Sequence, residues 1–215
     1  MNIGVLGSGA VGQTIGSKLV ELGHDVMLGS RDTANPRAVA WANEAGRQAL
    51  YGTFANAAAF GEIIFNCVLG SSTLDALYTV QANNLKGKIL IDVSNPIDRS
   101  ANGLVLTVCN TDSLGEQIQR AFPETRVVKT LNTVNSNVMV DPAKLLETTD
   151  VFVSGNDIEA KATVATILRD WFGWSSIIDL GDITTARGAE MFLPLWRSLR
   201  DVVPARRFNI KVVTS

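Results

Sequence analysis

The segment GSGAVG at residues 7–12 is the feature that most constrains the fold of this chain. It directly follows Asn2 to Leu6, an apolar run with the pattern of a β-strand. It opens Val11 to Leu22, whose apolar spacing is that of a helix. Glycines spaced G-x-G-x-x-G in this context permit a tight turn, close approach of a pyrophosphate and close packing of the helix on the strand. We therefore predict that the loop binds the phosphates of a dinucleotide at the helix N-terminus, through Gly7, Ser8, Gly9, Ala10, Val11 and Gly12. The alternative is a glycine-rich turn without a ligand.

Strand-like and helix-like segments alternate along the rest of the sequence. Strands rich in Val, Ile and Leu, separated by helices, are typical of a parallel sheet that is covered on both faces. We predict an α/β fold: a Rossmann-type, doubly wound, mainly parallel sheet in a single domain, residues 1–215. The nucleotide-binding core extends to about residue 180. The C-terminal extension, residues 181–215, contains a long helix, Ala186 to Val203, and a terminal strand, Arg207 to Val213. Arg37 to Leu50 is predicted as one helix.

Composition excludes several classes of function. A net charge of −2 argues against a broad electrostatic grip on nucleic acid or an acidic membrane. No apolar run approaches the roughly 20 residues of a membrane helix, and the first residues have the pattern of a core strand instead of a signal peptide. Cys67 and Cys109 have no metal-site or disulfide spacing, and His24 is the only histidine. We expect a cytoplasmic protein without a metal, with a small molecule as its partner.

The residues after the second predicted strand, Asp25 to Leu28, bear on the choice of nucleotide. An acid at this point would bind the ribose hydroxyls of NAD, whereas Ser30 and Arg31 offer a hydroxyl and a guanidinium to a 2′-phosphate. Arg37 adds a second cation. The pattern favours NADP. Two alternatives stay open: Asp32 is the ribose-binding acid of a longer strand, or Arg31 is a solvated turn residue.

The ends of later strands are expected to surround the nicotinamide. We predict that Val68 and Leu69 pack against its ring, with Gly70 and Asn95 in the adjoining walls. Lys129 and Asn132 are the candidate proton donors, needed only if the hydride acceptor is a carbonyl or an imine. Their structural alternatives are a solvent-facing strand end for Lys129 and a turn cap for Asn132.

The final helix carries an apolar stripe. Phe192 and Trp196 share one face with Leu195 and Leu199. We interpret this stripe as core or as a dimer contact, with a border of the acceptor pocket as the alternative.

Two segments of the chain carry a resemblance to a known family. The sequences MNIGVLGSGAVGQTIGSKLVELGHDVMLGSRD and RGAEMFLPLWRSL…RFNIKVV resemble the F420-dependent NADP oxidoreductases, also called NADPH-dependent F420 reductases. The first segment is also similar to the oxidoreductase domain of the STEAP metalloreductases. The resemblance implies a Rossmann-type domain, a homodimer, and NADP bound through Gly9, Ala10, Val11, Ser30 and Arg31. The loops at the expected acceptor site read SNPIDRSANG and KTLNTVNSNVMVDP. The second is rich in Asn and does not match the pattern expected for F420 binding, so the second substrate does not carry over.

These observations lead to one main hypothesis about function. It is an NADP(H)-dependent oxidoreductase that passes hydride between the nicotinamide and a flavin, the deazaflavin F420 or a small organic acceptor. A flavin-like ring holds the electrons itself, so the transfer needs alignment more than an acid or base. The alternatives are a non-catalytic NADP-binding redox sensor and a carbonyl or imine reductase.

Overall fold

The computed structural model describes residues 1–98, 104–204 and 207–215. Residues 99–103 of the loop SNPIDRSANG lie outside the described part. The strands are β1 (Asn2–Leu6), β2 (Asp25–Ser30), β3 (Ala49–Thr53), β4 (Ile63–Asn66), β5 (Ile89–Asp92), β6 (Ile97–Asp98), β7 (Val105–Leu106), β8 (Arg126–Thr130), β9 (Asp150–Ser154) and β10 (Ser176–Gly181). The α-helices are α1 (Ala10–Glu21), α2 (Pro36–Ala45), α3 (Phe54–Phe60), α4 (Thr73–Thr79), α5 (Leu114–Ala121), α6 (Ser136–Met139), α7 (Ile158–Thr166), α8 (Ala186–Met191) and α9 (Leu193–Val202). A π-helical turn, Ile167–Trp171, continues α7.

Eight strands form one sheet in the order β10-β9-β8-β5-β4-β1-β2-β3. All neighbours in this sheet are parallel except β8 and β9, where Lys129 pairs with Ser154 in an antiparallel ladder. Six strands of this sheet therefore point one way, and their carboxyl ends meet at a single edge; they are β3, β2, β1, β4, β5 and β8. β9 and β10 run in the opposite direction and begin at that edge. The short strands β6 and β7 form a separate antiparallel pair.

Helices cover both faces of the sheet, as the sequence predicts. On one face, Ile15 and Leu19 of α1 and Trp41 of α2 pack with strand residues such as Val5 and Phe65. On the other face, the alternate strand residues meet α3, α4, α5 and α8; Leu90, for example, shares a cluster with Leu77 of α4. Side chains of a strand alternate between its faces, so a continuous apolar run serves both clusters.

The structure corrects the assignment of two predicted helices. The predicted helix from Arg37 to Leu50 ends at Ala45, with Gly46 as its C-cap, and β3 follows at the sheet edge. The predicted helix from Ala186 to Val203 is two helices, α8 and α9, joined at Phe192. Pro194 lies in the first turn of α9, and because it has no N–H it cannot continue the hydrogen-bond ladder of α8.

The predicted terminal strand is instead an extended segment held beside β9. The amide N–H of Asp150 donates to the Ile210 carbonyl at 3.2 Å, and the Asn209 side chain donates to the Asp150 carbonyl at 2.8 Å. The Asp150 carboxylate in turn accepts from the Val212 N–H at 2.5 Å. Side-chain bonds thus replace most of a regular ladder. None of the helices in the described part of the chain is long and apolar enough to cross a membrane.

Candidate functional site

The glycine loop has the geometry of a phosphate-binding turn. Gly7 has φ +118, a conformation that side chains rarely adopt, and a Cβ on Gly12 would stand 1.9 Å from the Gly7 carbonyl oxygen. Gly9 is the N-cap of α1 and provides no side-chain cap. The first N–H groups of α1 are therefore left for a ligand, together with the positive end of the helix dipole.

The two candidate nucleotide contacts after β2, Ser30 and Arg31, lie in different environments. The Ser30 side chain is buried, and its hydroxyl donates to the Asp32 carbonyl at 2.5 Å. The Asp32 carboxylate accepts from the Ala34 N–H at 2.9 Å and does not line the cleft. Arg31 and Arg37 do line it, and neither forms an ion pair with another described residue. Two unpaired cations therefore mark this end of the site.

The glycine loop opens into a cleft of about 1270 Å³ at the carboxyl ends of the parallel strands. Single small-molecule sites commonly occupy about 300–1,000 Å³. The volume of the cleft is therefore large enough for a dinucleotide and part of a second molecule. Its lining contains most of the predicted site residues, namely Gly7, Ser8, Gly9, Ala10, Val11, Arg31, Arg37, Val68, Leu69, Gly70, Asn95 and Asn132. Gly12, Ser30 and Lys129 lie outside the lining.

Two asparagines form the floor of the cleft between β5 and β8. The Asn95 Nδ2 donates to the Asn132 carbonyl at 2.8 Å, and the Asn132 Nδ2 donates to the Asn95 Oδ1 at 2.9 Å. A second bond joins the Asn132 Nδ2 to the Ala189 carbonyl at 3.0 Å. Leu131, buried and with φ 61, turns the chain so that Asn132 reaches both partners. A bulky residue in this conformation is strained, and the surrounding contacts hold it there.

Lys129 lies behind this floor, fully buried, instead of facing solvent. Its Nζ is 2.7 Å from the Asp92 Oδ2, 2.7 Å from the Glu190 Oε1 and 2.7 Å from the Ser94 carbonyl oxygen. Burial lowers the pKa of the ammonium, but Asp92 and Glu190 outweigh it and hold the pKa above its ordinary value. A group with a raised pKa stabilises the fold below its unfolded pKa, so this contribution is lost only as the pH rises above the ordinary range of lysine. Lys129 is therefore a charged structural hub at neutral pH.

The outer wall of the cleft comes from the C-terminal helix α9. Leu193, Trp196, Arg197 and Arg200 line it, and the Arg200 guanidinium lies 5.7 Å from the centre of the Trp196 ring. Phe208 of the terminal segment packs against Trp196, with ring centres 5.7 Å apart. Within the predicted stripe, Trp196 thus borders the cleft, whereas Leu195 is 55% exposed.

The cysteines and the histidine have no arrangement that suggests chemistry. Burial, and to a smaller extent Asp92, raises the pKa of the Cys67 thiol, which therefore stays protonated. Cys109 is exposed and free. His24 stacks on Trp171, with ring centres 4.4 Å apart, and burial lowers its pKa. In the described part of the chain, no group of three or more His, Cys, Asp or Glu residues could hold a metal ion.

Sequence reasoning missed Asp92, Glu190 and the two arginines of α9. The role of Asp92 could have been predicted from its sequence position. A carboxylate at the end of an apolar strand, in a sheet covered on both faces, needs a buried partner. Glu190, Arg197 and Arg200 belong to helices whose packing direction the sequence pattern did not specify.

The sequence and the fold of this chain match those of known proteins. Residues 2–96 match the family model described as NADP oxidoreductase, coenzyme F420-dependent. A provisionally named F420-dependent NADP reductase of Arthrobacter sp. FB24, solved by crystallography, is 47% identical, and the match covers 99% of each chain with a TM-score of 0.94. This chain belongs to the F420-dependent NADP oxidoreductase family. The family assignment confirms the resemblance on which the sequence analysis relied, and the sheet confirms the expected fold class.

Two curated relatives extend the comparison over the family. The F420-dependent NADP reductase of Methanothermobacter marburgensis is 26% identical over 99% of this chain and 98% of its own. The metalloreductase STEAP3 of Rattus norvegicus is 30% identical over 91% of this chain. The chain spans only about two fifths of the metalloreductase, 38% of its length.

We predict that Lys129→Met lowers the free energy of unfolding by about 3–5 kcal/mol, because it leaves two buried carboxylates without their cation. Urea unfolding at neutral pH measures the difference from the wild type.

The matched control is Lys86→Met, which breaks the exposed pair with Glu124. Exposed pairs contribute about 0–1 kcal/mol. Equal stability of the two variants would contradict the assignment of Lys129 as a buried hub.

Proposed function

We propose that this protein is an NADP(H)-dependent oxidoreductase that passes hydride between the nicotinamide and a flavin, a deazaflavin such as F420, or a small organic acceptor. The observation that carries the proposal is the position of Arg31 and Arg37, neither of which is ion-paired with another described residue, at one end of a cleft that starts at the glycine loop. Family membership supports the same cofactor. NADP, when bound, would supply the hydride-carrying nicotinamide, and the residues of this chain would bind and orient it.

The electrostatics at the adenosine end favour NADP over NAD. A 2′-phosphate carries negative charge and several acceptor oxygens, which the guanidinium of Arg31 can bind in bidentate fashion. Arg37 lies in the first turn of α2, where the helix dipole adds to the attraction. The Asp32 carboxylate, which would repel the phosphate, is occupied with the Ala34 N–H.

We predict that Arg31→Ala weakens NADPH binding by about 10–100-fold and leaves NADH binding unchanged. A hydrogen bond to a charged group contributes about 1.5–3 kcal/mol, and about 1.4 kcal/mol is tenfold in affinity. Isothermal titration calorimetry with both nucleotides measures the difference.

Arg47→Ala is the matched control, because Arg47 is exposed and lies outside the cleft. Equal affinity of the wild type for NADPH and NADH would refute the 2′-phosphate site. Absence of binding by either nucleotide would refute the oxidoreductase proposal itself.

The floor of the cleft favours an acceptor that stores the electrons itself. Lys129 has three N–H donors and three oxygen partners at 2.7 Å, so it has no donor left for a substrate. The two N–H donors of the Asn132 amide are likewise occupied by Asn95 and Ala189. A carbonyl or imine reductase would need one of these donors to be free.

We predict that the purified protein oxidises NADPH in the presence of F420 or flavin mononucleotide and not with simple ketones. Absorbance at 340 nm follows the reaction for each acceptor separately. Turnover with ketones that disappears in Asn132→Ala, at unchanged NADPH affinity, would favour the carbonyl reductase alternative. Tight NADPH binding without turnover of any acceptor would favour the redox sensor.

The homodimer and the cytoplasmic location belong to the same proposal. Leu146, Val212 and Val213 are exposed apolar side chains, and the Lys211–Glu147 contact at 3.9 Å brings their two segments together. Exposed apolar side chains on two adjoining segments support an interface at this place. Two free cysteines accord with a reducing compartment.

We predict a particle of twice the 23.0 kDa chain mass in light scattering after size-exclusion chromatography. Leu146→Asp combined with Val213→Asp should convert it to a monomer, because two charges would be buried in the interface. Ile158→Asp is the control, since Ile158 is 79% exposed and begins α7 beyond the opposite end of β9. A wild-type monomer, or an unchanged dimer in the double variant, would count against this interface.

A further inference from the structure

A row of buried polar side chains crosses the sheet just behind the cleft floor. Asn66 and Asp92 are the last residues of β4 and β5, and Lys129 is the last but one of β8. They are register partners, Asn66 with Asp92 and Asp92 with Lys129. The Asn66 Nδ2 donates to the Asp92 Oδ1 at 2.7 Å, and Lys129 binds the other carboxylate oxygen. The row continues to Glu190, which lies on α8 and not on the sheet.

Glu190 joins three parts of the molecule through one carboxylate. Besides Lys129, its oxygens accept from the Leu114 N–H at 2.8 Å and the Gly115 N–H at 3.1 Å, in the first turn of α5. Its side chain is 1% exposed. The neighbouring residue, Ala189, accepts the hydrogen bond from Asn132 in the cleft floor. α8 is thus held at two successive residues, Ala189 to the cleft floor and Glu190 to the buried row behind the floor.

α8 leads directly into α9, which forms the outer wall of the cleft. Two residues separate Glu190 from Leu193, the first lining residue of α9, and only Phe192 lies between the two helices. The position of α9 relative to the floor therefore depends on how firmly α8 is held. A molecule between them would have the floor on one side and Trp196 on the other.

We propose that Glu190 is a positioning residue, which fixes α9 across the cleft from the nicotinamide site and so sets the rate of hydride transfer without setting the affinity for NADPH. This inference rests on the proposed oxidoreductase function. The nucleotide-binding groups belong to the glycine loop and to Arg31, which Glu190 does not contact. The acceptor, in contrast, would lie against the wall that Glu190 holds.

Stability alone is a weak reason for such a cluster. Two carboxylates and one ammonium have been taken out of water, and apolar side chains of the same volume often stabilise a core equally well. Charged hydrogen bonds differ from apolar packing because they fix direction and distance. A displacement of about 1 Å in the supporting structure is enough to lower a rate by about 100-fold.

The test compares Glu190→Gln with Glu116→Gln. Glu116 is also a buried carboxylate that joins α5 to α8, through Arg187, but it does not line the cleft, and the described partners of its carboxylate are Ser113 and Arg187. For Glu190→Gln we expect amide hydrogen exchange in 193–202 to become at least tenfold faster, while the Kd for NADPH changes less than twofold. With F420 or flavin mononucleotide, whichever the wild type reduces, kcat should fall at least tenfold. The deuterium isotope effect with NADPH labelled at nicotinamide C4 should rise. Glu116→Gln should stay within twofold of the wild type in every readout.

Several outcomes would overturn the inference. One is that the two variants behave alike, and another is that Glu190→Gln loses thermal stability while kcat and exchange in 193–202 are those of the wild type. If Glu190→Gln does not fold, Glu190→Asp replaces it, because the shorter acid keeps the charge but draws α8 towards Lys129. We expect it to lower kcat at least threefold at unchanged NADPH affinity, and wild-type kinetics would refute the proposal. A wild type without turnover refutes the proposed function instead, and the exchange and affinity measurements still decide whether Glu190 holds α9.

Discussion

The parallel alignment of β2, β1, β4, β5 and β8 is the constraint on which the site depends. Because these strands all point one way, the chain leaves each of them at the same edge, and the loops that follow meet there. The reversal at β9 ends this arrangement, since β9 and β10 begin at the edge where the others finish. The cleft consequently runs from the arginines after β2 to the asparagine after β8, and the C-terminal helices close it.

Charge is distributed unevenly along this edge. Arg31 and Arg37 are exposed and mark one end, where an anionic phosphate would gain most. Arg197 and Arg200 on α9 share Asp201, with which they make contacts at 3.3 and 3.7 Å, so the outer wall is partly neutralised. The buried cluster around Lys129 is hidden from both. The charges that face the cleft and the buried charges that support it therefore belong to different residues.

The sequence predicted the glycine loop, the alternation of strands and helices, and most of the cleft lining, because each of these depends on residues close together in the chain. It failed at β3, at the division of the last helix and at the terminal strand. The sequence predicts a phosphate contact at Ser30, and in the structure the Ser30 hydroxyl donates to the Asp32 carbonyl. For Lys129 it predicts a candidate proton donor, with a solvent-facing strand end as the alternative, and the structure surrounds Lys129 with three oxygens from β5, the following loop and α8.

The difference between Arg31 and Lys129 shows what each level of structure decides. Arg31 reaches the cleft through local structure alone. The turn that carries it follows β2, the glycine loop follows β1, and these two strands are neighbours in one βαβ unit. Lys129 acquires its role only when Asp92, 37 residues earlier, and Glu190, 61 residues later, converge on its ammonium group. The sequence by itself determined the fold class, the dinucleotide loop and the position of its candidate phosphate ligands. Tertiary structure decided which charges are buried and which helix forms the outer wall of the cleft, because those depend on contacts between elements distant in the chain.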